Sequence, residues 1–343
     1  MPGNDKVIFM TISFVHFNSY SGIDTQSFQE PFIHSSGDWH DILSKQDRAT
    51  KTSRTTNMKL QFIINPVSGA GQKDWETLIR DFFSGRSESL EFFRLEKDAN
   101  NKQLLAEAVK AYKPDRVVAA GGDGTVKMAA EVLMGTDIPL AIIPAGSANG
   151  MAKELDIPLD ANEAMELAAS GSAKKVDMIF TNEEYCIHLS DLGLNAKMLE
   201  HFEEFDTRGF LGYGRALIKM LGRHQFMRVT LLANNKTYKR KVVMAVIANA
   251  SKYGTGAVIN PGGNPCDGEF EVVLVKRLGL AELIKMIITG KPLAQTNMEI
   301  IKCKRMKLTA TRPYPFQVDG ESRPKTKEIN AVIEPGAVQV IRP

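Results

Sequence analysis

Cysteine is scarce. The chain has three cysteines in 343 residues, Cys186, Cys266 and Cys303. They are far apart and form no CxxC pair, which excludes a disulfide framework and a zinc-ligand spacing and makes a reducing cytosol the expected compartment. No apolar run reaches the ~20 residues that a bilayer-crossing helix needs. Charge of one sign is lacking too: 43 Lys and Arg against 40 Asp and Glu leave +3, so the chain as a whole has no electrostatic reason to bind nucleic acid. Internal repeats and low-complexity tracts are absent. What is present is an ordinary globular composition, 43% hydrophobic and 24% charged, in a length that accommodates two domains.

Residues 1–57 read differently from the rest. Val7 to Phe17 is apolar but stops after eleven residues, and Asn18 to Asn57 is rich in Ser, Thr, Asp and Gln with no sustained period. Lys6 ahead of that apolar core is also the layout of a short signal peptide; the cytosolic character of the remainder weighs against it. The segment is expected to be a poorly ordered extension, and Met58, which opens the strand-like MKLQFIINP, is expected to be the true initiator.

From Met58 strand and helix alternate. Leu60–Ile64 is a β-rich run. Trp75, Leu78, Ile79, Phe82 and Phe83 follow helical spacing. Leu90–Leu95 predicts a strand, Leu104, Leu105, Ala108, Val109 and Tyr112 a helix ending before Pro114, and Ile138–Ile143 another strand. Between these lies Arg116 to Thr125, RVVAAGGDGT, around which the chain is organised: a buried strand, Val117–Ala120, a glycine turn, and a helix from Val126 carrying Ala129, Ala130 and Leu133. Such a turn aims free backbone N–H groups and a positive helix end at a phosphate. Gly121, Gly122 and Gly124 are expected to allow positive φ and close approach of a ligand, and Asp123 suits a Mg²⁺-bound water or a hydroxyl. Glycine loops after Ile64, Ala120 and Ile143 all fall at the carboxyl ends of strands, where ligands sit in parallel sheets.

After about residue 178 the pattern becomes strand after strand: Tyr185–Leu189, Gln225–Ala233, Lys236–Ala248, Glu269–Lys276, Met298–Ala310, Glu328–Glu334 and Val338–Ile341. Asn234–Asn235 suits a hairpin turn. Helical patterns at Asn195–Leu221 and Leu280–Thr289 interrupt them. The expected fold is α/β: a doubly wound nucleotide domain over 58–178, then a β-rich, sandwich-like domain over 179–343 whose last strand is free to return to the first. Near its end Asp319 and Glu321 stand two apart, so on a strand both would face one way, and each would raise the other's basicity. Asn264-Pro265-Cys266-Asp267-Gly268-Glu269 reads as an Asp–Gly turn before a strand. In 198–221, apolar Met198, Phe202, Phe205, Phe210, Leu211, Tyr213 and Leu217 interleave with Arg208, Arg215 and Lys219, a composition that fits an anionic lipid surface or a core helix pair.

NPVSGAG (65–71), GGDGT (121–125), PAGSANG (144–150), the Asp–Gly pair at 267–268 and VDGE (318–321) occur in the order found in the diacylglycerol, sphingosine and ceramide kinase catalytic family, and 58–343 resembles its bacterial lipid kinases. GGDGT alone is shared with NAD kinases and phosphofructokinases, but no Gly-x-Leu-Gly-Phe-like stretch follows the proline loop here. The resemblance implies a lipid kinase that uses ATP and Mg²⁺. ATP would be held by Asn65, Pro66, Ser68, Gly69 and Gly71, by Gly121, Gly122, Asp123, Gly124 and Thr125, and by Gly146, Ser147 and Asn149. The catalytic residues would be Glu321 as proton acceptor, Asp319 beside it, and Asp123 at the catalytic metal through water. It also implies a structural Mg²⁺ on the Asp267 carboxylate and the carbonyls of Asn264 and Glu269. The partners would be a lipid alcohol and a membrane surface, with no nucleic acid and with room for a homodimer, in a cytoplasmic, peripherally membrane-associated protein. Two departures from the family pattern matter: Met128 stands where an acidic residue is usual, and Asn149-Gly150 where Asn-Asp is usual, with Ser147 in place of Thr; the family's nucleotide-contacting Thr after the second strand is also not evident, Leu95-Glu96-Lys97 standing there. An NAD kinase-like enzyme and a non-catalytic lipid or nucleotide binder are the alternatives.

Overall fold

A computed structural model describes residues 57–66, 73–193, 226–252, 258–279 and 294–343, with isolated positions between 280 and 293. Thr56–Pro343 form one unit. The first part alternates: β1 (Lys59–Ile64), α1 (Trp75–Phe82), β2 (Ser89–Arg94), α2 (Asn101–Tyr112), β3 (Arg116–Gly121), α3 (Asp123–Leu133), β4 (Leu140–Pro144), α4 (Gly150–Glu154) and α5 (Ala161–Ser170). β2, β1, β3 and β4 lie side by side and run parallel. Successive side chains of β3 enter different cores. Val117 and Ala119 join one cluster with Ala129, Ala130 and Leu133 of α3; Val118 and Ala120 join another with Trp75 and Ile79 of α1. A strand buried on both faces reads as an unbroken apolar run, which is why RVVAA shows no alternation.

The second part is antiparallel: β5 (Ser172–Thr181), β6 (Glu184–Cys186), β7 (Leu189–Gly193), β8 (Met227–Ala233), β9 (Lys236–Val242), β10 (Met244–Ala248), β11 (Phe270–Val275), β12 (Met298–Cys303), β13 (Arg305–Val318) and β14 (Glu321–Arg342). β14 is 22 residues long. Its first half pairs with β13, its later half with β5, and Val340 lies parallel to Leu140 of β4. Through β14 the parallel and antiparallel parts become one 14-stranded sheet among the described residues. Met227, Val229, Leu231 and Ala233 of β8 alternate into a third core with Met306, Leu308 and Ala310 of β13.

Most of the expected elements are present, with corrections. β5 was not expected, because Ser172–Lys175 has little strand propensity; pairing to β14 makes it a strand. The expected strand at Tyr185–Leu189 is two, with Ile187 and His188 between them. Those at 236–248 and 298–310 break at Val243 and Lys304. The hairpin at Asn234–Asn235 is there, with both residues at positive φ and Ala233 opposite Lys236. The helical patterns at 195–221 and 280–289, and with them the candidate lipid segment 198–221, lie outside the described residues apart from isolated positions. Among the described residues no helix is long and apolar enough to cross a membrane.

Candidate active site

The glycine turn after β3 is built by packing. None of Gly121, Gly122 and Gly124 has positive φ, contrary to expectation. Glycine is needed there for space. A Cβ on Gly121 would sit 2.4 Å from Thr125 Oγ1, and one on Gly146 would sit 2.5 Å from the Cα of Gly122. The loops after β3 and β4 thus meet backbone to backbone. The helix begins at Asp123, three residues earlier than expected, with Gly122 as N-cap and no side-chain cap. Thr125 and Val126 N–H donate to Gly122 O; no side chain among the described residues caps this end, so its positive dipole is open to a ligand.

Asp123 lies in that first turn. Its carboxylate accepts from Gly150 N–H (3.0 Å) and Met151 N–H (3.1 Å), so it also starts α4. Each oxygen has one amide partner and a second lone pair, a donor set that fits a water on a nucleotide-bound Mg²⁺. Asn149, at φ +51, closes its own loop: Gly146 N–H donates to its Oδ1 (2.8 Å) and its Nδ2 donates to Gly146 O (2.9 Å). Thr125 is 4% exposed, and Asn65 Nδ2 approaches its hydroxyl at 3.5 Å. Pro66 and Ser147 are exposed beside these loops. Ser68, Gly69 and Gly71 lie outside the described residues. Met128 packs against the core cluster on the α3 side.

Asp319 and Glu321 come to this place on the turn between β13 and β14, but not as a pair facing one way. Asp319 and Gly320 are the turn, at φ +50 and +86, so the strand geometry that aligns i and i+2 does not apply. The Asp319 side chain is 2% exposed and points inward. It accepts from the N–H groups of Ile187 (3.1 Å), His188 (2.9 Å) and Leu189 (3.3 Å) and from the Cys186 thiol (3.2 Å). Glu321 is 58% exposed, and its Oε1 lies 3.8 Å from where a Cβ on Gly124 would be. Residues nearly two hundred apart in sequence therefore meet at the N-terminus of α3.

Three further residues were not legible as site residues. Lys127 Nζ, on α3, lies 3.3 Å from Asp319 Oδ2 and 3.2 Å from Glu184 Oε2. Arg323 forks onto Glu184, Nε to Oε1 at 2.8 Å and Nη2 to Oε2 at 2.9 Å, and Nη2 also reaches Glu321 Oε2 at 2.8 Å. Burial pushes the Lys127 pKa down, but the charges of Asp319 and Glu184 outweigh it and the net shift is upward. Burial pushes Glu184 up, yet the bonds from Arg323 and the charge of Lys127 hold it below its usual range. Burial also raises the Cys186 thiol well above its ordinary value, so it stays protonated. The one signal in the sequence was a lysine inside the apolar stretch VKMAA.

Among the described residues the Asp267 turn shares no hydrogen bond or ion pair with this cluster. Asp267 Oδ1 accepts from Glu269 N–H (3.1 Å) and its Oδ2 holds Lys302 Nζ at 2.8 Å. The same ammonium is 3.5 Å from Glu269 and 4.0 Å from Glu271. As folded, the three carboxylates are turned toward the Lys302 ammonium. Asn264 uses its side-chain oxygen on Cys266 N–H (3.2 Å). Asp177, buried and unremarkable in sequence, ties the turn down, accepting from Gly268 N–H and Gly336 N–H at 2.7 Å each. A cavity of about 970 Å³ lined by Phe180, Leu232, Met306 and Val332 shares no residue with the glycine loops.

Comparison with known proteins agrees with this architecture. The family model of the diacylglycerol kinase catalytic domain matches residues 59–181. That of the YegS C-terminal NAD kinase beta sandwich-like domain matches 190–342. A diacylglycerol kinase of Mycobacterium tuberculosis is 27% identical over 257 residues, 72% of this chain and 82% of that protein. One of Bacillus subtilis is 26% identical over 215 residues, 60% of this chain and 71% of that protein. The crystal structure of a diacylglycerol kinase from Bacillus anthracis superposes with a TM-score of 0.64 at 19% identity, covering 84% of this chain and 97% of that one.

Proposed function

Because the chain belongs to the family of the diacylglycerol kinase catalytic domain, we propose that it transfers the γ-phosphate of ATP to the free hydroxyl of a lipid, a diacylglycerol or a sphingoid base. The observation that carries this reading is the meeting of Glu321 with Gly124 at an uncapped helix N-terminus. Phosphoryl transfer needs phosphates held by backbone amides and positive dipoles, and a carboxylate placed to take the acceptor's proton. The N-terminus of α3 supplies the first and Glu321 the second. The lipid O–H gives its proton to Glu321 as the new O–P bond forms. The bond from the γ-phosphorus to its bridging oxygen breaks, and the electron pair leaves on ADP. Asp123 would hold a water of an ATP-bound Mg²⁺, which when bound would supply neutralisation of phosphate charge. Asp319 acts from below, fixing the turn that carries Glu321. The acceptor would be taken at a membrane surface, for which the basic and apolar residues of 198–221 have the composition.

The test is transfer of labelled phosphate from ATP to diacylglycerol, to sphingoid bases and, as the rival acceptor, to NAD. The native chain should label a lipid. Glu321→Gln should lose about 10²–10⁴-fold in kcat, the range general-base catalysis supplies, while Mg-ATP affinity and melting temperature stay unchanged. Label on NAD alone would replace this reading by an NAD kinase-like one. No labelled acceptor, with ATP still bound, would make the chain a binder.

A further inference from the structure

A proton acceptor must be held still, and Glu321 begins with little to hold it. It follows a two-residue turn and is more than half exposed, and a glutamate left free in such a place samples many rotamers. Its restraint is Arg323. Residues two apart on a strand share a face, and Arg323 Nη2 donates to Glu321 Oε2 at 2.8 Å. Arg323 is itself immobilised: its fork takes both oxygens of Glu184, and its Nη1 donates to Ser322 O at 3.1 Å. Glu184 is in turn held by Lys127, which belongs to the helix whose N-terminus faces Glu321. The contacts close a ring, from α3 through Lys127, Glu184, Arg323 and Glu321 back to Gly124 of α3.

Resting on the kinase reading, we propose that Arg323 is a positioning residue that engages Glu321 Oε2, leaves Oε1 as the proton-accepting oxygen, and fixes that oxygen over the phosphate-binding end of α3. Two features support the assignment. Oε1 is the oxygen that overlooks Gly124, and Oε2 is the one occupied. The charges also count in its favour. Lys127 and Arg323 are opposed by Asp319, Glu184 and Glu321, which leaves one negative charge in the group, and Glu321 is its most exposed carboxylate. A proton taken from the lipid hydroxyl lands on that carboxylate and leaves the group neutral. Arg323 needs no contact with substrate for this role. Lysine cannot replace it, because one ammonium does not offer a planar fork to Glu184 and a third N–H to Glu321.

The experiment is a double-mutant cycle on the full chain, with kcat, Mg-ATP affinity and melting temperature measured on each preparation. Arg323→Gln should lower kcat by about 10–100-fold, the scale of a displacement near 1 Å in a reacting geometry, with Mg-ATP affinity unchanged. Arg323→Lys should restore stability but only a minor part of kcat. In a Glu321→Gln background, Arg323→Gln should cost nothing more, because the residue through which it acts is already disabled. An equal further loss there would place the guanidinium on the phosphate itself and overturn the proposal. So would full kcat in well-folded Arg323→Gln, or a loss of kcat that follows the folded fraction alone. An inert native chain would instead refute the kinase reading, and the positioning role with it.

Discussion

Two glycines of the site are glycine for opposite reasons, and substitution separates them. A Cβ on Gly146 would sit 2.5 Å from backbone, the Cα of Gly122, and neither loop can yield without separating from the other. Gly146→Ala should therefore destabilise the fold by roughly 1–3 kcal/mol, as overpacking does, seen as a lower urea midpoint. Among the described residues a Cβ on Gly124 would meet only Glu321 Oε1, at 3.8 Å, and Gly124 lies within α3. Gly124→Ala should hold or raise stability, by up to ~1 kcal/mol, while filling the space a phosphate would approach and weakening ATP binding. If Gly146→Ala unfolds at the native midpoint, or Gly124→Ala binds ATP as the native chain does, the corresponding account of the turn is wrong. The motif was visible in the sequence. The reason for each glycine was not, because the atoms they avoid belong to other loops and other strands.

At the scale of an element, the Asp267 turn and the adjoining β11 and β12 form a small electrostatic unit. Asp267, Glu269 and Glu271 converge on Lys302, which β-pairing sets directly opposite Glu271. Burial raises the Glu271 pKa despite its bond from Asn260 and the charge of Lys302. If this ammonium, and not a metal, balances the three carboxylates, the consequence is measurable. The native melting temperature should then be insensitive to Mg²⁺ when nucleotide is absent. Lys302→Met should melt earlier and recover with the logarithm of Mg²⁺ or Ca²⁺ concentration, as a bound ion requires. Mg²⁺-dependent melting of the native chain would restore the metal at Asp267. Sequence spacing showed the carboxylates; that a lysine thirty-five residues later would lie among them depended on strand register.

For the whole molecule, Lys127 and Glu184 make stability depend on pH at both extremes. The folded pKa of Glu184 lies below its ordinary 4.5, so its contribution is present above 4.5 and is lost as pH falls through the lower folded value. The folded pKa of Lys127 lies above 10.5, so its contribution is present below 10.5 and is lost as pH rises through the folded value. In between, the two charges tie α3 to the β-rich half. Glu184→Gln should be less stable than the native chain near neutrality and should show a shallower acid limb below pH 4.5, where each differential proton is worth about 1.4 kcal/mol per pH unit. Parallel acid limbs in urea titrations of the two proteins would mean that Glu184 carries no such linkage.

The sequence by itself determined the alternation of β1 through β4, the apolar run of β3, the antiparallel second half, and the order of the glycine, proline and Asp-Gly-Glu motifs. Each of these rests on local propensity, periodicity or turn chemistry, which neighbouring residues decide. Only the tertiary structure decided that Asp319 faces inward to an amide cradle while Glu321 faces the helix end, because a two-residue turn at positive φ breaks the period that would have aligned them. It alone joined Lys127, Glu184 and Arg323, whose charges look like solvated surface until β14 lies between β13 and β5 and the end of the chain returns to β4. Such contacts depend on loop closure over long separations and on burial. Neither leaves a periodic trace in the chain.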